Sequence, residues 1–221
     1  EDIVPVLRVN DPVLKKSKII LIVPTFYNEK LKDGSLKDLL TGIEITESIT
    51  EVMLSVTDGQ VEKYKSLKDI TNIPLRIVSS VSGNRAKSRN DAASVAQNEY
   101  LLFLDDDVVL KDWRIIDVIL SKVLENQNDC ALFPRRNYLH FPALYDKSER
   151  KRLINQWKAN NTADELGKLF DPSSEGSHFK TIKFCFPGCF MLVKKNSFND
   201  VNGFDEKFEG WGYEDADFAL R

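Results

Sequence analysis

Lys18 to Pro24, "KIILIVP", is an unbroken β-branched apolar run, the pattern of a central parallel strand buried on both faces. Pro24 blocks further strand pairing, and a loop follows. Ser35 with Asp38 three residues on resembles a capping box, and Leu36, Leu39, Leu40 and Ile43 keep helical spacing behind it. Glu51 to Val56 reads as a second strand, stopped by the turn signal Asp58-Gly59, and Leu75 to Val81 as a third. Asn84 to Asn98 reads as a helix whose alanines and Val95 form a narrow apolar stripe, with Arg85, Lys87 and Arg89 in its early part. The fourth strand, "YLLFL", runs into Asp105, Asp106 and Asp107. Beyond it Asp112 can cap a helix carrying Ile116, Ile119, Leu120 and Val123, and Cys130 to Phe133 is the next strand. Strands alternating with helices predict an α/β fold, a mostly parallel sheet covered on both faces.

The alternation lapses between Pro134 and Lys180. Asp146 with Glu149, and Thr162 with Glu165, look like helix starts there, and Asp171-Pro172 like a stop, so a helical excursion on the surface is expected. Strand character returns around Pro187-Gly188 in "KFCFPGCFMLVKK". The final stretch, "GFDEKFEGWGYEDADFALR", opens a helix that ends with the sequence.

Length and charge narrow the partners. A chain of 221 residues buries the core of one sizeable domain, and one is expected over 1–221. A formal net charge of -3 lacks the basic footprint of a nucleic-acid binder. No apolar stretch is long enough for a transmembrane segment, and "EDIVPVLRVN" is no signal peptide. Cys130, Cys185 and Cys189 read as small core residues rather than a disulfide framework or metal site, and His140 and His178 as surface or core histidines.

Two acidic clusters carry the chemistry. Ligands of an open parallel sheet bind beyond the carboxyl ends of its strands, where Asp105, Asp106 and Asp107 fall. In an extended segment Asp105 and Asp107 face the same way and Asp106 the other. Two hard oxygen donors suit Mg2+ or Mn2+ together with substrate phosphates. The plainer alternative is that the acids cap the next helix or lie in solvent. Arg85, Lys87 and Arg89 stand on the helix feeding this strand, where one can pair with phosphate or with the acids, although solvated surface charge is the plainer reading for Arg85 and Lys87. In the second cluster Gly210 and Gly212 let the chain turn sharply around Trp211, and Glu214, Asp215 and Asp217 open a helix whose N-terminus favours negative charge. Burial by Trp211 and Tyr213 would make an unpartnered carboxylate there costly and would suit a general base.

Taken in order, "VPTFYN", "NRAKSRNDAASVAQNEYLLFLDDD" and "PGCFMLVKK...GFDEKFEGWGYEDADFALR" resemble nucleotide-sugar-dependent glycosyltransferases of the GT-A fold. The likeness is to family 2, with a C-terminal part similar to the galactosyltransferase and polypeptide N-acetylgalactosaminyltransferase type. It covers Lys18 to Arg221 apart from 134–180.

The resemblance implies a nucleoside diphosphate sugar donor, a UDP sugar first, and a glycan, glycolipid or glycoprotein acceptor. It implies Pro24, Thr25 and Tyr27 lining the nucleotide pocket, Arg89 and Asn90 beside the nucleotide, and Asp105-Asp106-Asp107 as the Asp-x-Asp motif. Asp105 and Asp107 would hold Mn2+ or Mg2+, and Asp105 and Asp106 would meet the donor. Gly188, Cys189, Trp211 and Glu214 would lie near the acceptor, and Asp215 would be the base of an inverting transfer. Two features depart from the family. Thr57-Asp58-Gly59-Gln60 offers one acid where an Asp-Asp-Gly-Ser stretch is common, so Asp58 is either base reader or turn residue. A further metal-ligand histidine expected beyond the last helix is not reached by Arg221, which points to a chain cut short or an incomplete metal site. A sugar-phosphate nucleotidyltransferase and a non-catalytic sugar-binding module are the competing readings; "PTFYNEK" lacks the glycines of the former. A cytoplasmic location is expected, with membrane association through a partner or another segment.

Overall fold

Every residue of Ile19–Thr25 (β1) is buried, as a strand covered on both sides must be. The computed structural model describes residues 18–25, 34–80, 84–106, 108, 110, 112–127, 130–132, 190–208 and 213–221. Beside β1 lie β2 (Ile49–Thr57), β3 (Leu75–Ser80), β4 (Tyr100–Leu104), β5 (Cys130–Leu132) and β6 (Phe190–Lys194), in the order β3-β2-β1-β4-β6-β5. The pairings β3-β2, β2-β1 and β1-β4 are parallel, while β6 runs antiparallel to both β4 and β5. Pro24 does not end β1. Pairing with β4 stops at Ile22 opposite Phe103, whereas pairing with β2 continues through Pro24 to Thr25 opposite Val56.

Side-chain alternation along the strands divides the core between two faces. Ile19, Leu21 and Val23 pack with Leu36, Leu39 and Leu40 of α1 (Ser35–Gly42) and with Ile116, Ile119, Leu120 and Val123 of α4 (Ile115–Glu125). A short α2 (Val61–Tyr64) adds Tyr64 to this face. Ile20 and Ile22 face Ala86, Ala92 and Ala93 of α3 (Arg85–Val95), with Phe198 of α5 (Lys195–Asp200), Phe204, and Phe218 of α6 (Glu214–Leu220). Each fully buried Ile or Leu contributes roughly 1.5–3 kcal/mol. The small alanines bring α3 close to the sheet, where buried Ser88 Oγ and Ser55 Oγ hydrogen-bond at 2.7 Å. Val95 instead stands 41% exposed, outside the stripe expected of it.

Helix starts differ from the sequence signals. Gly34, at φ 82, precedes α1, and no side chain caps it, so Ser35 is the first helical residue rather than the cap. Asp112 accepts from the backbone and guanidinium of Arg114, and α4 begins one residue after Arg114. Asp117, in the first turn of α4, accepts from the backbone N–H of Ser48 at 3.0 Å and pins this helix to the start of β2. Among the described residues no helix is long and apolar enough to cross a membrane. The excursion at 134–180, with its expected helices and both histidines, lies outside the described residues.

Candidate active site

Strand order reverses between β1 and β4: β1 leads to β2 on one side, and the chain returns from β3 across β1 to β4 on the other. A crevice opens at such a point beyond the carboxyl ends of the strands. Thr25 ends β1 there, and Asp105 and Asp106 follow β4. The backbone N–H of Val108 donates to the carbonyl of Asp105 at 3.2 Å, which closes a turn. Strand geometry therefore ends at Leu104. Asp107 itself lies outside the described residues.

Asp105 and Asp106 face different neighbours. Asp105 Oδ1 accepts from the Arg89 guanidinium at 3.2 Å. The charge of Asp106 acts on Tyr64, whose hydroxyl lies 3.3 Å from Thr25 Oγ1. Burial, chiefly, raises the Tyr64 pKa above its usual value; the Thr25 hydrogen bond works against this, and Asp106 adds to it. Thr25 is buried at the β1 end with its hydroxyl facing Tyr64. Nothing in "VEKYKSLKD" signals that Tyr64 reaches the site, because it arrives from a short helix after the second strand.

Arg89 is 1% exposed on the buried face of α3, not a solvated surface cation. One terminal nitrogen donates to Asp105 and the other to Glu214 Oε1 at 2.9 Å. Its guanidinium carbon stands 5.2 Å from the centroid of the Phe204 ring. A buried guanidinium is costly unless its donors meet acceptors, and two carboxylates meet its terminal nitrogens. Glu214, at 5% exposed, opens α6, and Asp215 beside it is half-buried with Oδ1 accepting the Ala216 N–H at 2.8 Å.

The chain leading to α6 is bolted to α3. Asn90 Oδ1 accepts from the backbone N–H of Phe204 at 3.0 Å, and Asn90 Nδ2 donates to the carbonyl of the same residue at 2.9 Å. Asn84, whose side chain caps α3 by accepting from the Lys87 N–H, also donates to the carbonyl of Glu206 at 2.8 Å. Lys87 pairs with Asp91 at 2.9 Å and with Glu206 at 3.8 Å; mainly the hydrogen bond to Asp91 raises its pKa. Lys87 is therefore a partly exposed surface cation that is also ion-paired. Gly203, at φ 64, turns beneath Asn90, and a Cβ there would stand 2.7 Å from Asn90 Oδ1.

Asn90 thus meets the backbone of the C-terminal segment. Asp58 lies exposed after β2, its N–H donating to Ser80 at 2.8 Å and its carboxylate accepting from Ser79. Tyr213 does not bury Glu214 as the sequence led us to expect: it is 77% exposed, in a left-handed conformation at φ 74. Asp217 of α6 pairs at 2.8 Å with Arg221, the residue that follows the helix. Tyr27, Gly188, Cys189 and Trp211 lie outside the described residues.

As a cation site, the acids after β4 offer carboxylate oxygens, which are suited to Mg2+ or Mn2+ and unsuited to thiophilic metals. Among the described residues no group of three or more such side chains stands ready to hold a metal ion. Asp105 would therefore need further donors, from Asp107 or from substrate phosphate.

Comparison with known proteins adds to this geometry. A family model described as the N-terminal domain of galactosyltransferase matches residues 173–221, the segment containing Glu214 and Asp215. Glycosyltransferase GlyG of Streptococcus pneumoniae is 24% identical over 197 residues, 84% of this chain and 60% of that protein. The chain thus spans about 60% of the length of this curated relative. TarS of S. aureus superposes with a TM-score of 0.57 at 17% identity, covering 92% of this chain and 33% of TarS. Mannosyltransferase PcManGT from Pyrobaculum calidifontis, in complex with GDP-Man and Mn2+, gives 0.56 at 17% identity, covering 91% of this chain and 50% of that one. S. aureus TarS 1-349 in complex with UDP-GlcNAc gives 0.53 at 17% identity, covering 92% and 52%. The fold is the GT-A fold of glycosyltransferases.

Proposed function

We propose that this chain carries the donor site and the base of an inverting, metal-dependent glycosyltransferase of hexosyltransferase type. Its donor is a nucleoside diphosphate sugar, a UDP sugar in the first instance, and its acceptor a hydroxyl of a glycan, glycolipid or glycoprotein. One observation carries the reading: Asp105, at the strand-order reversal, and Glu214, at the start of α6, share the buried guanidinium of Arg89. Acids from both motifs thereby border one site. Support for the donor class comes from the relatives whose structures hold UDP-GlcNAc or GDP-Man with Mn2+.

In this reading the nucleotide lies over the ends of β1 and β2, against Pro24, Thr25 and Asp58, with Tyr27 completing the pocket. Asp105 and Asp107 would hold Mn2+ or Mg2+, which when bound supplies positive charge to the diphosphate, and Asp106 would meet the donor. Asp215 takes the proton of the acceptor hydroxyl. That oxygen forms its bond to the anomeric carbon from the face opposite the diphosphate, which leaves with the electron pair of the broken C–O bond. Glu214, held by Arg89, fixes the start of α6 and so the place of Asp215; Gly188, Cys189 and Trp211 would border the acceptor.

A base step contributes about 10²–10⁴ in rate. The test is hydrolysis of UDP, GDP and dTDP sugars with and without Mn2+, on the parent chain and on Asp215→Asn. Mn2+-dependent turnover of one donor, lost in Asp215→Asn, is the expected result. Turnover equally fast in Asp215→Asn removes the base assignment, and donor binding with no turnover favours a non-catalytic sugar-binding module.

A further inference from the structure

We infer that Arg89 is a positioning residue that couples the donor side of the site to the acceptor side, so that a change at Glu214 alters nucleotide affinity through Arg89. The inference rests on the function proposed above and adds to it a line of coupling. It also gives Arg89 a different task from the nucleotide contact that the family resemblance implies.

Asp105 stands 16 residues from Arg89 and Glu214 stands 125 away, so local structure alone cannot hold both acids to one guanidinium. Arg89 is 1% exposed, which separates these contacts from expendable surface pairs. Two sides of the group are fixed: the Phe204 ring stands 5.2 Å from the guanidinium carbon, and its terminal nitrogens bond the two acids. Phe204 is itself held through its backbone by Asn90, the residue after Arg89. The planar guanidinium fork is thus clamped by its own helix and cannot follow one acid without changing its geometry to the other. Packed groups of this kind are the means by which a shift at one site is felt at a second.

Loss of the Glu214 charge therefore removes one of the two acids that set the orientation of the clamped guanidinium, and so changes how Arg89 meets Asp105 and how that carboxylate meets the donor. Residues in one ion-pair network couple measurably, and a change of roughly three- to thirtyfold in affinity is expected here.

The test is calorimetric titration of UDP in the presence of Mn2+ into the parent, Glu214→Gln, Arg89→Lys and the double variant, each with its thermal melt. Asp217→Asn serves as a control that perturbs α6 away from Arg89. Glu214→Gln is expected to weaken UDP binding by the stated factor, Arg89→Lys to weaken it similarly, and the double variant to be no weaker than Arg89→Lys. Asp217→Asn should keep parental affinity. A Glu214→Gln affinity within about twofold of the parent, full multiplication of the two effects, or an equal loss in Asp217→Asn each overturns the coupling. If the parent binds no UDP with Mn2+, the proposed function fails first and the coupling with it, an outcome distinct from parental binding without coupling.

Discussion

Replacing Gly203 by alanine should cost far more stability than the same change at Gly34, although both glycines have positive φ. Gly203 sits at φ 64 and Gly34 at φ 82, so each substitution carries the penalty of a left-handed alanine, about 1–2 kcal/mol. Their surroundings differ. An added Cβ at Gly34 meets nothing within 4 Å, whereas at Gly203 it stands 2.7 Å from Asn90 Oδ1 and 2.9 Å from the Phe198 ring. Phe198 is packed between the Phe103, Phe204 and Phe218 rings, so it has little room to withdraw. Overpacking of this kind adds about 1–3 kcal/mol. If Asn90 moves instead, its two hydrogen bonds to Phe204 weaken, at about 0.5–1.5 kcal/mol each. The expected difference between Gly203→Ala and Gly34→Ala is about 2 kcal/mol, or a separation of about 4–8 °C in melting temperature. Urea denaturation with unchanged m values measures it. Equal losses in the two variants would refute the claim that Asn90 and Phe198 enclose this turn.

Further outcomes follow from other contacts. Asn90→Ala should destabilise the fold by roughly 1–3 kcal/mol in urea melts without any ligand, a loss that a residue contacting nucleotide alone would not show. Tyr64 has a raised pKa in the folded chain, so the fold holds its phenolic proton more tightly than the unfolded chain. That contribution is complete below about pH 10 and is lost as pH rises through the folded value. The difference in urea midpoint between the parent and Tyr64→Phe, followed from pH 8 to 11, should therefore change in favour of the variant at the alkaline end; no change with pH would contradict the burial of this hydroxyl. Glu44→Ala removes acceptance from the Asn72 N–H at 2.6 Å on an exposed loop and should change the melting temperature little while leaving UDP affinity unaltered.

Much of the sheet was legible because its strands are covered on both faces. "KIILIVP" and "YLLFL" have no polar side to misread, and Ile116, Ile119, Leu120 and Val123 repeat at a spacing only a helix buries together. The direction of β6 was not legible: "FMLV" is buried along its length, and a both-sided apolar run carries no mark of parallel or antiparallel pairing. Helix caps were misread at Ser35 and Asp112, where glycine geometry and an arginine partner won over the local hydroxyl and carboxylate signals. In the site, the position of the acids after β4 followed from strand order, but the turn that the Val108 N–H closes on the Asp105 carbonyl did not. The burial of Arg89 rests on Glu214, 125 residues away, and no local pattern encodes it. Tyr213 was expected to wall the acids; its left-handed backbone turns the ring outward instead.

The central claim is that carboxylates beyond β4 make nucleotide binding depend on a divalent cation. Calorimetric titration of UDP into the parent and into Asp105→Asn, each with Mn2+ and then with EDTA, addresses it most directly. The account predicts binding to the parent with Mn2+ that vanishes in EDTA and falls at least about tenfold in Asp105→Asn, since a charged group that meets its ligand directly is worth more than about 1.4 kcal/mol. UDP binding of equal strength in EDTA, or an unaltered affinity in Asp105→Asn, would contradict it.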